Sequence, residues 1–163
     1  GLVGSEMCIR DRPLAYHHHM GTIIETQRDT ERLLDNTHDS VKLTLDTGHM
    51  LFAKGDSKSI LENYNERLFH VHCKDIRKDV LEKSLKENLS FRAAFLEGAF
   101  TVPGDGIINY DDVMSRLYDV GYEGWIIVEA EQDPKKANPL AYAIKGYQAL
   151  ESSLNKAGYS ITK

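Results

Sequence analysis

The chain has 163 residues, 41% hydrophobic and 28% charged, with a formal net charge of -5 at pH 7. That length supports one domain with a real core, and the composition is that of a globular protein. The acidic balance argues against a nucleic-acid surface, which needs a basic patch, and no apolar run approaches the ~20 residues of a membrane-spanning helix.

The opening stretch "GLVGSEMCIRDR", residues 1–12, has no helical or strand period. It resembles the translation of a transposon-type sequencing-library adapter and is expected not to pack, which leaves 13–163 as the folding unit. It holds Cys8, so Cys73 is the one cysteine of the remainder. Two cysteines are too few for a disulfide framework, and no basic-then-apolar leader is visible. A cytoplasmic setting is the expectation.

"PLAYHHHM" reads as a short extended run and "TQRDTERLLDN" as a helix with Leu33 and Leu34 on one side. "SVKLTLD" alternates Val41, Leu43 and Leu45, the period of a strand. "SKSILENYNERL" sets Ile60, Leu61, Tyr64 and Leu68 at helical spacing, and "LFHVHCK" is the next strand. One longer helix is expected over 79–98, followed by a loop, "FTVPGDGII", rich in turn residues. "YDDVMSRLYDV" places Val113, Met114, Leu117 and Tyr118 on one helical face. "WIIVEAE" is a continuous apolar run of the kind found in buried parallel strands. Asn138 caps a last helix that starts at Pro139 and is expected to bury Ala143, Ile144, Tyr147, Leu150 and Leu154. Strand and helix alternate through four units, which predicts an α/β fold of four parallel strands with crossover helices. Neither GxGxxG nor GxxxxGK[ST] occurs, so nucleotide binding has no support.

Each predicted strand ends in residues able to bind a metal: His17 and His19, Asp46, His72, and Glu129. In a (β/α) barrel, chemistry sits at the C-terminal ends of the strands. Alternation puts His17 and His19 on one face and His18 on the other, and His70 and His72 on a shared face. Asp46 alone would read equally well as a helix cap, and paired histidines as half-buried structural residues. Glu129 lies within an apolar run, and a buried carboxylate must be paired or bound to a metal; Glu131, on the same face, is a second candidate. One nitrogen or oxygen ligand from each of four strand ends outweighs the separate readings. Such a mixture suits manganese, cobalt, iron or zinc better than calcium. Lys74, Asp75 and Arg77 are placed to meet substrate oxygens or to form surface salt bridges. The glycines around Asp105 in "VPGDG" allow close approach to a ligand or simply a tight loop. Cys73 points away from His72 and reads as packing.

Five segments, "LAYHHHMGT", "LDTGHM", "HVHCKD", "FTVPGDG" and "GWIIVEAEQDPKKANP", together resemble the inosose dehydratases of the xylose-isomerase-like TIM-barrel superfamily, from residue 13 to about residue 152. The resemblance implies the C-terminal half of a (β/α)8 TIM barrel, a divalent metal, usually manganese or cobalt, and a keto-cyclitol substrate, 2-keto-myo-inositol (scyllo-inosose). The implied reaction is dehydration to a trihydroxycyclohexane-dione through a metal-stabilised enediolate, in inositol catabolism. By motif, Asp46, His72 and Glu129 stand at metal positions. His17 stands where relatives carry a glutamate, in a strand often reading "LALENH", and His19 stands at that strand's histidine. This departure makes His17 the first choice for the remaining ligand and His19 the reserve. The resemblance further implies a substrate or metal contact for His49. Acid and base roles fall among His49, Glu129 and Lys74, and substrate contacts among His19, Arg77 and Asp105. Two other functions are compatible: a sugar isomerase or epimerase of the same superfamily, and a half-barrel without catalytic function. The expected partners are a small molecule, no nucleic acid and no membrane. A homo-oligomer is expected if the edges of the "AYHHH" and "WIIVE" strands pair between copies.

Overall fold

The computed structural model describes residues 13–161, so the expectation for 1–12 lies outside the described residues. Four parallel strands form one sheet in the order β1-β2-β3-β6. They are β1 (Leu14–His17), β2 (Val41–Asp46), β3 (Leu68–Cys73) and β6 (Trp125–Val128). Between and after them run α1 (Gln27–Asp35), α2 (Thr47–Phe52), α3 (Ser57–Tyr64), α4 (Lys78–Lys86), α5 (Phe91–Glu97), α6 (Tyr110–Asp119) and α7 (Pro139–Ala157). Short polar side chains begin most of these helices by accepting a backbone N–H: Thr26, Asp46, Asp56, Ser90, Asn109 and Asn138.

The two faces of the sheet have different chemistry. Leu43 and Leu45 of β2 and Val71 and Cys73 of β3 join Leu34, Ile60, Met114 and Leu117 of the helices in the core. The other face carries Thr44, Asp46, His70 and His72, paired across the strands as Thr44 with His70 and Asp46 with His72. A bulge makes that pairing possible. Leu68 lies opposite Leu43, and the register then skips Phe69, so that His70 lies opposite Thr44. Without the extra residue the histidines of β3 would fall on the apolar face.

Three expectations need correction. The single helix over 79–98 is two helices, α4 and α5. Asn88 takes a positive φ of 50° between them, and Ser90 caps the second. "WIIVEAE" is not buried on both faces. Its strand ends at Val128, lies at the sheet edge, and leaves Trp125 76% exposed. Helix α7 buries Leu150 and packs Leu154 against the core, but Ala143, Ile144 and Tyr147 face outward. Its inward face is set by Gly146, where an added Cβ would stand 2.6 Å from Val128 and 2.9 Å from Val102. The smallest residue therefore seats the helix, and the larger apolar ones are left outside.

A second, two-stranded sheet was not foreseen. β4 (Asp75–Ile76) pairs antiparallel with β5 (Phe100–Thr101), the second of which starts the stretch read from sequence as a loop. Asp75 secures the turn that follows: its carboxylate accepts the backbone N–H groups of Gly106 at 3.1 Å and Ile108 at 2.9 Å. No helix among the described residues is long and apolar enough to cross a membrane.

Candidate metal centre

Four strand ends deliver His17, Asp46, His72 and Glu129 to one place. One ligand atom from each lies within 4.8 Å of the others. Asp46 Oδ2 is 3.4 Å from His17 Nε2 and 3.8 Å from His72 Nδ1, and His72 Nδ1 is 2.6 Å from Glu129 Oε2. Asp46 divides its two oxygens between tasks. Oδ1 accepts the His49 N–H at 2.8 Å and caps α2, which leaves Oδ2 to face the histidines. The cap reading and the ligand reading of Asp46 are thus compatible. Burial pushes the Asp46 pKa up, but contacts from His17 and the Lys74 ammonium outweigh it and hold the carboxyl well below the usual range.

Buried polar atoms normally find hydrogen-bond partners. Among the described residues, the buried side-chain atoms without a well-formed hydrogen bond include His17 Nε2, Asp46 Oδ2, His72 Nδ1 and Glu129 Oε2. These are one atom from each member of the set, turned toward each other. A divalent cation with nitrogen and oxygen ligands fits that donor set, and a cation would satisfy all four atoms together.

His18 supports the set from behind. It is fully buried, and its Nε2 accepts the backbone N–H of Asp46 at 3.2 Å. Burial lowers its pKa to about 4, so it is neutral at pH 7.

A second cluster adjoins the first. His19, His49 and Glu131 also bring ligand-capable atoms within 4.8 Å of one another. The rings of His19 and His49 lie 3.7 Å apart between centroids, with Phe91 and Phe100 beside them. Burial, reinforced by the Lys74 ammonium and opposed by Asp46, lowers the His49 pKa to about 2, leaving it neutral. Lys74 is fully buried between the two clusters. Its Nζ lies 2.8 Å from Glu131 Oε2, 2.8 Å from His49 Nε2, 3.2 Å from Asp46 Oδ2 and 3.4 Å from Glu129 Oε1. Burial alone lowers a lysine pKa, but here the three carboxylates outweigh it and raise the pKa, keeping the side chain charged.

The predicted site residues therefore fall into three groups. His17, Asp46, His72 and Glu129 converge; His19, His49 and Lys74 form the adjoining cluster; Arg77 and Asp105 bind one another at 2.8 Å. Thr101 and Lys145 also engage Asp105, so that pair is committed to a polar network of its own. The central place of Lys74 and the support from His18 were not read from sequence. Glu131 was signalled only by its period-two spacing from Glu129. A cavity of about 800 Å³ between Tyr118, Trp125 and Tyr159 lies at the opposite end of β6 from Glu129 and is lined by none of these residues.

The family described as xylose isomerase-like TIM barrel matches residues 10–153. Inosose dehydratase of Lacticaseibacillus casei is 44% identical over 143 residues, covering 87% of this chain and 48% of that protein. The rhizopine catabolism protein MocC of Rhizobium meliloti is 46% identical over 149 residues, covering 91% of this chain and 46% of that protein. The chain thus spans about half the length of these curated relatives. Among solved structures, the IOLI protein with a binding zinc atom has the same fold, with a TM-score of 0.61 at 19% identity, over 91% of this chain and 51% of that one. The parallel sheet with metal-capable residues at its strand ends and the match over residues 10–153 agree: the chain belongs to the xylose isomerase-like TIM barrel family.

Proposed function

We propose that this chain is the C-terminal, metal-binding half of an inosose dehydratase, a hydro-lyase that removes water from 2-keto-myo-inositol to give a trihydroxycyclohexane-dione. The observation that carries the reading is the convergence of one buried ligand atom each from His17, Asp46, His72 and Glu129, none with a well-formed hydrogen bond. The identity to inosose dehydratases, 44% over most of the chain, supports the substrate class. Manganese or cobalt is the metal we propose, with the zinc of the IOLI neighbour as the alternative. Once bound, the cation would supply Lewis acidity toward the substrate's ketone oxygen.

The remaining chemistry falls to the adjoining residues. Lys74 holds a proton on Nζ beside Glu131 and is suited to deliver it to a departing hydroxide. His49 and Glu129 are the candidates for accepting the substrate proton, and a carboxylate held by a metal is a poorer base than a free one. His19, partly exposed beside His49, is placed to contact substrate hydroxyls. Arg77 and Asp105 would reach substrate only by loosening their mutual ion pair. We place this chemistry in the cytoplasm, on a small-molecule substrate.

The test joins this chain to the first half of the Lacticaseibacillus casei relative, loads manganese or cobalt, and follows diketone absorbance from 2-keto-myo-inositol. Metal-dependent product that is lost in Asp46→Ala and in His17→Ala is the expected outcome. An isomerised product without diketone would replace the dehydratase with an isomerase or epimerase.

A further inference from the structure

Beyond the proton-donor role proposed above, Lys74 is set among metal-capable side chains of its own. His19, His49 and Glu131 form a second set as compact as the first, from the residue types that bind transition metals. The interior of that set holds an ammonium. Lys74 Nζ touches Glu131 and His49 at 2.8 Å and reaches across to Asp46 and Glu129, one carboxylate-bearing pair from the first set. Its stem is fixed in that direction by Gly48, where an added Cβ would stand 2.8 Å from Lys74 Cγ and 2.9 Å from its carbonyl oxygen.

Charge balance points the same way. Asp46, Glu129 and Glu131 bring three negative charges to the two sets and Lys74 brings one positive. One divalent cation then makes the assembly neutral. A second would leave it with two uncompensated positive charges in a largely buried site, which is strongly disfavoured. We propose that Lys74 is a built-in cation standing in the place of a second metal ion, so that the ammonium keeps a potential two-metal site at one metal. Two-metal sites hold their ions ~3.5–4 Å apart, and the Lys74 ammonium lies between the two sets, 2.8 Å from Glu131 of one and 3.2 Å from Asp46 of the other. The inference rests on the proposed metal site formed by His17, Asp46, His72 and Glu129.

The experiment is equilibrium dialysis of the chain against cobalt(II), with metal counted by mass spectrometry and the fold followed by circular dichroism. The chain should retain one equivalent. Lys74→Met, which keeps the volume and removes the charge, should retain two, and Lys74→Met with Glu131→Gln should return to one. Glu131→Gln alone should keep its single equivalent with an unchanged cobalt absorption spectrum, whereas Glu129→Gln should lose it. If Lys74→Met does not fold, Lys74→Gln, likewise uncharged, takes its place and should also retain two. One equivalent on a folded Lys74→Met chain overturns the inference while leaving the first site in place, and loss of the single equivalent in Glu131→Gln overturns both. No cobalt on the unaltered chain overturns the metal reading and the inference with it.

Discussion

Asp46 concentrates two functions in one carboxylate, and they can be separated. Asparagine caps helices about as well as aspartate, so Asp46→Asn should keep α2 in place while removing the charge on Oδ2. We expect metal affinity to fall about 100-fold or more with the circular dichroism spectrum unchanged; equal affinity would remove Asp46 from the ligand set. His18, behind it, provides a pH signature. Its pKa is about 4 in the folded chain, against 6.5 for the free group, so the unfolded chain takes up a proton that the folded chain refuses. Stability contributed by the neutral ring is complete above about pH 6.5 and is lost as pH falls toward 4. The slope per histidine is about 1.4 kcal/mol per pH unit, for a total of about 3 kcal/mol. Urea titrations in chelator should show that acid slope, and His18→Gln should flatten it by about one proton. An unaltered slope would place His18 in a less buried setting.

The strands and most helices were legible because their apolar residues repeat at two or at three to four. The convergence of the strand-end residues was legible because the same alternation lines up chemistry on one face. What the sequence concealed depends on contacts between elements. The bulge at Phe69 is a property of the β2–β3 pair, the antiparallel β4–β5 pair joins Asp75 and Ile76 to Thr101 and Phe100, and the Asp75 carboxylate holds the turn at Gly106 and Ile108. The break between α4 and α5 had a visible signal, Asn88 followed by Ser90, in a stretch read as one helix because its periodicity runs on. Lys74 was legible as a substrate contact or an acid–base candidate, with a surface salt bridge as the alternative, but its full burial was not. Its burial follows from Gly48 of α2, which leaves space for its stem. Gly48→Ala should therefore act through β3 and α2 together. We expect a loss of about 1–3 kcal/mol in urea denaturation, with a displaced Lys74 and weaker metal binding. Asp75→Ala should cost about 3 kcal/mol, because it strips the backbone N–H groups of Gly106 and Ile108 of their acceptor. A neutral effect of either change would contradict these packing assignments.

At the scale of the molecule, the sheet has two edges, β1 and β6, and a polar inner face bearing the candidate site. Leu14 and Trp125 on those edges, and Leu140 and Ile144 on α7, are exposed at 50%, 76%, 70% and 49%. Exposed edges and apolar patches promote association between chains. Light scattering coupled to size exclusion should give a mass above the 18.4 kDa of one chain, and a monodisperse monomer at high concentration would contradict that expectation. The central claim concerns the four strand ends, and metal content tests it most directly. The chain and Asp46→Ala would be dialysed against manganese or cobalt, freed of loose metal, and counted by mass spectrometry. The account predicts one tightly held ion on the unaltered chain and none on the variant. No retained metal on the unaltered chain, or equal metal on both, would contradict it.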